Sequence, residues 1–187
     1  MVERVEQGDI QFFFQPSVQP AEAEAYVLGV QSFFAILSPE GKPHRRMRVG
    51  KKRMPASPRD RFWARIERVG SLQDVLGDKL EAERYVTKTR GTRYQPAARP
   101  IARGSYAFVR HDDHVHLVYR VERADFTEAP EELQVAEAGD HLVLFEKDPP
   151  ARAVWTASGD PEHLDEAGAE LVLVGSHPGD AISELAA

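Results

Sequence analysis

The chain of 187 residues contains no cysteine. This absence excludes disulfide bonds, thiolate nucleophiles, cysteine-ligated zinc and iron–sulfur clusters. No apolar run approaches the roughly 20 residues that a membrane-spanning helix requires. The first ten residues, MVERVEQGDI, lack the apolar core of a secretion signal. We therefore expect a cytoplasmic protein that has no membrane partner.

Charge is unevenly distributed along the chain. The formal net charge is −6 at pH 7, but residues 41–110 carry 19 Lys and Arg against 6 Asp and Glu. The flanking residues 1–40 and 111–187 carry 1 against 6 and 4 against 18 respectively. Either the basic middle segment pairs with the acidic C-terminal third when the chain folds, or it forms a surface that binds a polyanion.

The apolar pattern predicts an α+β fold with one β-rich domain and a mostly antiparallel or mixed sheet. Apolar or alternating segments that are bounded by turn residues are typical of strands. Such segments occupy residues 9–14, 32–37, 44–52, 85–89, 105–110, 114–122, 141–147, 152–156 and 170–174. We expect a single globular domain over 1–175 and a frayed tail over 176–187.

A helical pair is predicted over roughly residues 58–78. The sequence Ser-Pro-Arg-Asp at 57–60 combines a capping serine, a proline at the first helical position and a carboxylate in the first turn. The apolar residues that follow recur with helical spacing: Phe62, Ile66 and Val69. A second start at 71–74 completes the pair, and shorter helices are expected at 21–30 and 160–168.

A histidine-rich hairpin is the most informative local pattern. If an aspartate pair forms the turn, His111 pairs with His114, and period-two alternation places His116 on the same face. The Cβ atoms of the first two would lie about 5 Å apart. Three neutral imidazoles suit a divalent metal such as zinc, iron or manganese, with Asp113 as a ligand or a hydrogen-bond partner. The alternatives are a metal-free polar site and a solvated face.

A basic segment precedes this hairpin. Its candidate ligand-binding residues are Lys88, Arg90, Arg93, Tyr94 and Arg99. Guanidinium groups bind phosphate through paired hydrogen bonds, and a tyrosine ring can stack on a base. Because the segment leads into the hairpin, we expect these cations to lie close to the histidines, with the basic run 44–53 as a neighbouring wall. The chain has no glycine-rich phosphate loop of the Walker or dinucleotide type.

The same region resembles a family of uncharacterised bacterial and archaeal proteins. The matching pattern reads Lys-Thr-Arg-Gly-x-Arg from Lys88, Pro-Ala-Ala-Arg-Pro from Pro96, and Tyr-x-x-Val-Arg-His-x-Asp-His-x-His-Leu-x-Tyr from Tyr106. The resemblance extends to 12–16, 33–37, 49–55 and 62–63, and it weakens after Glu122. It implies no activity, cofactor or partner.

The sequence therefore favours a binding module for a phosphate-rich ligand such as nucleic acid, formed by a basic loop next to a histidine-rich hairpin. One alternative is a metal-dependent phosphoester hydrolase, in which the three histidines hold a metal that activates water. Another is a structural or partner-binding protein without a small ligand. Whether the chain is an enzyme stays open at this point.

Overall fold

Alternating apolar side chains form antiparallel strands that close into an eight-stranded barrel. The computed structural model describes residues 1–20, 29–124, 133, 135–147 and 154–175. Its strands are β1 (Val2–Pro16), β2 (Gln19–Pro20), β3 (Val30–Pro39), β4 (His44–Val49), β5 (Arg61–Gly70), β6 (Glu83–Thr87), β7 (Gly91–Gln95), β8 (Arg99–His111), β9 (His114–Ala124), β10 (Ala138–Glu146), β11 (Trp155–Thr156) and β12 (Glu170–Gly175).

The barrel strands follow one another in the order β1, β3, β4, β5, β12, β10, β9 and β8, and β8 pairs with β1 to close the ring. A separate three-stranded sheet contains β2, β7 and β6. The helix α1 (Leu72–Leu76) continues into the 3-10 turn Gly77–Lys79, and a second 3-10 helix spans Pro161–Asp165. No helix among the described residues is long and apolar enough to cross a membrane.

The predicted α+β class is wrong, because the structure is 62% strand and 9% helix. The main error is the first half of the helical pair expected over 58–78, which is β5 instead. Phe62, Ala64 and Ile66 alternate into the barrel core, and the residues between them face outward. A spacing of four residues fits a strand with a period of two as well as a helix, so the stripe alone could not distinguish them.

The supposed helix start at 57–60 is a turn. The Asp60 carboxylate accepts hydrogen bonds from the backbone N–H groups of Ala56 and Ser57, at 2.8 and 3.2 Å. The second predicted start is confirmed, because Ser71 and Asp74 form a reciprocal capping box at the beginning of α1. A 3-10 helix also forms within the segment predicted at 160–168.

Most of the predicted strands are confirmed with different ends. The predicted strand at 105–110 is part of the thirteen-residue β8, whereas the one at 44–52 ends at Val49. The strand predicted at 152–156 is reduced to β11 in the part of it that is described. The helix expected at 21–30 falls mainly outside the described residues, and Val30 begins β3. The tail expected at 176–187 also lies outside them.

Apolar side chains fill the barrel interior. At its centre the Phe12 ring stacks against Phe33 and meets the edge of Tyr119, with centroids 6.0 and 5.1 Å apart. A second apolar cluster lies outside the barrel wall, where α1 covers the outer faces of β1 and β3. Its members are Phe13, Phe34, Ile36, Val75, Leu76 and Ala98. The helix therefore protects one part of the outer wall from water.

An ion-pair network occupies one end of the interior. Arg45, which is fully buried, donates two hydrogen bonds to the Glu6 carboxylate at 2.7 and 2.9 Å and two to Asp165 at 2.6 and 2.9 Å. The Tyr106 hydroxyl donates to Glu6 at 2.8 Å. Burial and the neighbouring Glu6 carboxylate raise the pKa of Tyr106, so its hydroxyl remains a hydrogen-bond donor.

Candidate functional site

The predicted hairpin register is confirmed by the structure. His111 pairs with His114 across β8 and β9, and Val109 pairs with His116. Asp112 adopts the left-handed backbone conformation of the turn, with φ at 53°. The three imidazoles form a row on the outer face, with ring centroids 5.3 and 5.2 Å apart. The sequence thus places these rings together as expected.

Each histidine of this row faces a carboxylate of its own. The His114 Nδ1 atom lies 3.0 Å from Asp113, whereas the His111 Nδ1 atom lies 3.8 Å from an aspartate in the turn. Among the described residues, no three His, Asp or Glu side chains converge on a point where a metal ion could sit. The metal site at His111, His114 and His116, with Asp113, therefore stays a prediction that needs side-chain rotation.

The partner of His116 was not foreseen from the sequence. Its Nδ1 atom lies 2.7 Å from the carboxylate of Asp140, and these side chains are only 13% and 8% exposed. The His116 Nε2 atom is buried and has no hydrogen-bond partner within the described ranges. Asp140 comes from β10, which reaches β9 only because the barrel closes. No local sequence signal predicts that contact.

His141, beside Asp140 in the chain, points into the barrel instead. Its ring packs on Tyr119 with centroids 5.9 Å apart, and burial lowers the pKa of His141 to about 4. Burial also raises the pKa of Tyr119 to about 12. His141 is consequently a neutral core side chain at physiological pH.

The predicted basic segment forms most of a two-stranded hairpin, made of β6, β7 and their turn, which we call the basic arm (residues 83–95). Lys88 and Arg90 are exposed in its turn, where Gly91 has a φ of 68°. Arg93 is half-buried on β7, whereas Arg99 lies beyond the arm at the start of β8 and is also half-buried. Four of the five candidate residues thus share the arm.

Tyr94 is less accessible than the stacking hypothesis requires. The Arg84 guanidinium lies over its ring, 5.2 Å from the centroid, and Tyr94 is half-buried. On the other face of the arm, Tyr85 is 39% exposed and is the cross-strand neighbour of Arg93. Within the basic arm, the accessible aromatic side chain beside a cation is therefore Tyr85.

The basic arm and the histidine row do not lie close together. Arg99 begins β8 opposite Phe14, and His111 ends it opposite Val2. Thirteen residues of extended chain separate the ends by about 40 Å. The expected proximity therefore fails, because β8 is much longer than the strand predicted from the sequence.

The second basic run, 44–53, divides into buried and exposed cations. Arg45 belongs to the interior network, and Arg46 donates to Glu67 and Asp78 at 2.8 and 2.6 Å beneath α1. By contrast, Arg48 is 47% exposed. The turn after β4 also exposes Lys51 and Lys52.

A group of exposed cations around Trp63 was not predicted from the sequence. Arg61, Trp63 and Arg65 are exposed on β5, and Arg48 lies opposite Arg65 on β4. We call these four residues the tryptophan face. The alternating sequence Arg-Phe-Trp-Ala-Arg carries the signal, but assigning the segment to a helix concealed it.

The charge blocks of the sequence pair only partly with each other among the described residues. Several exposed cations form no ion pair with any carboxylate in the described parts of the chain. They are Lys51, Lys52, Arg61, Arg65, Lys88 and Arg90. The acidic C-terminal third does reach the basic block through Asp160, Glu162 and Asp165, but those pairs leave these six cations exposed to solvent.

No family model, no curated protein and no solved structure matches this chain. The resemblance seen in residues 88–119 thus stays a prediction, and function has to be argued from the surface described above.

Proposed function

We propose that the protein is a cytoplasmic binding module for a phosphate-rich polymer such as nucleic acid, and that the basic arm supplies its first contact. The observation that carries this proposal is the exposed pair Lys88 and Arg90 at the arm's turn. Neither forms an ion pair with a carboxylate in the described ranges. Unpaired surface cations release the counterions of a polyanion on binding, which is the main source of sequence-independent affinity.

The arm is held in place before any ligand arrives. Its turn is shaped by Thr87, whose hydroxyl donates to the Gly91 carbonyl at 3.0 Å and accepts from the Arg90 backbone N–H at 2.9 Å. At its base the Gln95 amide donates to the Pro16 carbonyl at 2.8 Å. A cation on a fixed scaffold loses less conformational entropy on binding than one on a disordered loop.

The face of the arm opposite Tyr94 supports contact with a flexible polymer. Tyr85 and Arg93 are adjacent across the two strands, and Tyr85 is 39% exposed. A cation beside an exposed ring binds a phosphate and a neighbouring base together. This combination favours nucleic acid over a small inorganic anion.

A binding titration tests the proposal. Fluorescence anisotropy of labelled single- and double-stranded RNA and DNA would be measured at low and high salt, with chelator or with added zinc or manganese. The double variant Lys88→Ala, Arg90→Ala should weaken binding about tenfold and reduce the magnitude of the salt slope by about 2. A matched control with the same charge change is Arg120→Ala, Lys147→Ala, which alters exposed cations on β9 and after β10.

Two outcomes would overturn the proposal. The first is the absence of salt-sensitive binding to any of the four polymers. The second is cleavage that needs added metal and disappears in His114→Ala, which would favour the hydrolase alternative.

A further inference from the structure

Trp63 lies in the middle of a row of cations on the outer face of β5. Arg61, Trp63 and Arg65 alternate with core residues, and the indole is 41% exposed. Alternate residues of a strand are about 6.5 Å apart. That spacing is comparable with the distance between successive phosphates of an extended nucleic-acid strand, so a base over Trp63 would have a cation on either side.

The cross-strand pairing on this face brings two like charges together. Arg65 is the direct neighbour of Arg48, and like charges that face each other destabilise a sheet. The next such pair along the ladder, Arg46 and Arg68, is neutralised by ion pairs to Asp78 at 2.6 and 3.5 Å. Arg65 has no such partner among the described carboxylates. The same ladder thus contains one compensated and one poorly compensated pair.

A glycine allows the indole to lie against the barrel wall. The Gly50 N–H donates to the Trp63 carbonyl at 2.8 Å, and a Cβ atom at position 50 would meet Cε3 of Trp63 at 3.0 Å. Lys51 and Lys52 follow immediately in the turn, and both are exposed. The ring is therefore supported on one side and flanked by further positive charge.

Two carboxylates border the face, and one of them forms an ion pair with Arg48. Glu67 reaches Arg48 at 3.5 Å, and Glu170 is the cross-strand neighbour of Arg65. Neither forms an ion pair with Arg61 or Arg65. Those two guanidinium groups, on either side of the ring, remain available to a ligand.

We propose that the tryptophan face binds single-stranded nucleic acid, with a base stacked on Trp63 and the adjoining phosphates held by Arg61 and Arg65. This inference rests on the proposed function, because it names the form of nucleic acid that the module takes. A duplex would present the same phosphates, but its bases are paired and stacked on one another and cannot reach the indole. RNA and DNA share the chemistry that this face recognises.

The test uses the fluorescence of Trp63 itself. The chain has two tryptophans, so the full-length Trp155→Phe variant leaves Trp63 as the one source of tryptophan emission. Oligo(U), oligo(dT), a duplex and inorganic polyphosphate would each be titrated, with labelled polymer anisotropy measured in parallel. We expect both oligonucleotides to quench Trp63 saturably, whereas the duplex and the base-free polyphosphate bind with little quenching. A response to only one oligonucleotide would narrow the ligand to RNA or to DNA.

Substitutions separate stacking from charge. Trp63→Ala should weaken single-strand binding about tenfold and leave polyphosphate binding unchanged, whereas Trp63→Phe should retain most of the affinity. Arg65→Ala should weaken both ligands. Its matched control is Arg68→Ala on the same strand, whose guanidinium is already held by Asp78.

The inference and the proposed function fail in different ways. Oligonucleotide binding that leaves the Trp63 emission unchanged, or that is insensitive to Trp63→Ala, would overturn the proposal that the tryptophan face binds single strands. The proposal for the basic arm would still stand after either result. Quenching of equal size by duplex and single strand would also overturn it. If no polymer binds at all, both proposals fall together.

Discussion

Arg48 and Arg65 face each other directly across β4 and β5, on the outside of the barrel. Both side chains are exposed, and Glu67 reaches only the first of them. Exposed like charges in register destabilise a sheet by roughly 0.2–1 kcal/mol, so this pair lowers the stability of the unliganded protein. We interpret the pair as part of a surface that is completed by an anion.

Stability and binding should respond to Arg65→Gln in opposite directions. The substitution removes the like-charge contact with Arg48. It also removes the charge opposite Glu170, but Glu170 forms no ion pair with Arg65, so we expect the first effect to dominate and the free energy of unfolding to rise by up to about 1 kcal/mol. The substitution also removes a phosphate contact, so affinity for oligonucleotide should fall. Urea denaturation and anisotropy on the same sample would check this. A loss of stability would contradict the account of the pair.

Removing Arg45 alone from the interior ion network should lower the free energy of unfolding more than removing Arg45 and Glu6 together. Arg45→Met leaves the Glu6 carboxylate buried without its main partner, so the free energy of unfolding should fall by about 3–5 kcal/mol. Adding Glu6→Leu to that variant should restore a large part of the loss. Tyr106→Phe, which removes one hydrogen bond to Glu6, should cost about 1 kcal/mol.

Urea denaturation of the four proteins provides the measurement. An Arg45→Met variant as stable as the wild type would contradict the stabilising role of the Arg45–Glu6 ion pair. A double variant less stable than Arg45→Met alone would contradict it as well. Nucleic-acid binding by these variants should be unchanged when they are folded, because the network lies inside the barrel, away from the exposed cations of the basic arm.

Acid should destabilise the barrel through His141. Burial lowers the pKa of this imidazole from 6.5 to about 4, with smaller and opposing contributions from Asp140, which raises it, and His116, which lowers it. Between these two pH values the unfolded chain binds a proton that the folded chain does not. The contribution of neutral His141 to the free energy of unfolding is therefore fully present above about pH 6.5. It falls as the pH is lowered towards 4, and below about pH 4 it changes no further.

The size of this effect is on the order of 3 kcal/mol. His141→Phe keeps an aromatic ring against Tyr119 and should make the pH dependence of stability between 4 and 6.5 shallower. Thermal or urea denaturation across that pH interval would show the difference between the variant and the wild type. Parallel pH profiles for the two proteins would contradict the assignment.

Local sequence patterns predicted the hairpin because the residues that set its register lie next to one another in the chain. Period-two alternation on both sides of Asp112 and Asp113 fixes which residues face one another, and the structure has the predicted register. The helix at Ser71 was predictable for the same reason, since its capping box lies within four residues. The wrong assignment at 58–70 arose where Phe62 and Ile66 satisfy two periodicities at once.

The parts that the sequence could not predict depend on how distant strands meet. The His116–Asp140 contact exists only because β10 pairs with β9 when the barrel closes. The separation of Arg99 from His111 depends on the true length of β8. The tryptophan face requires β4 and β5 to be adjacent, which places Arg48 beside Arg65. Strand order and strand length were therefore the missing information.

The salt dependence of single-strand binding tests the central claim most directly. Wild-type protein and the Arg61→Ala, Arg65→Ala variant would be titrated with a labelled single-stranded oligonucleotide between about 50 and 200 mM salt. We predict a wild-type slope of log affinity against log salt steeper than about −2, and a variant slope shallower by about 1.4. Wild-type affinity that does not change with salt, or equal slopes for the two proteins, would contradict the claim that these unpaired cations bind nucleic acid.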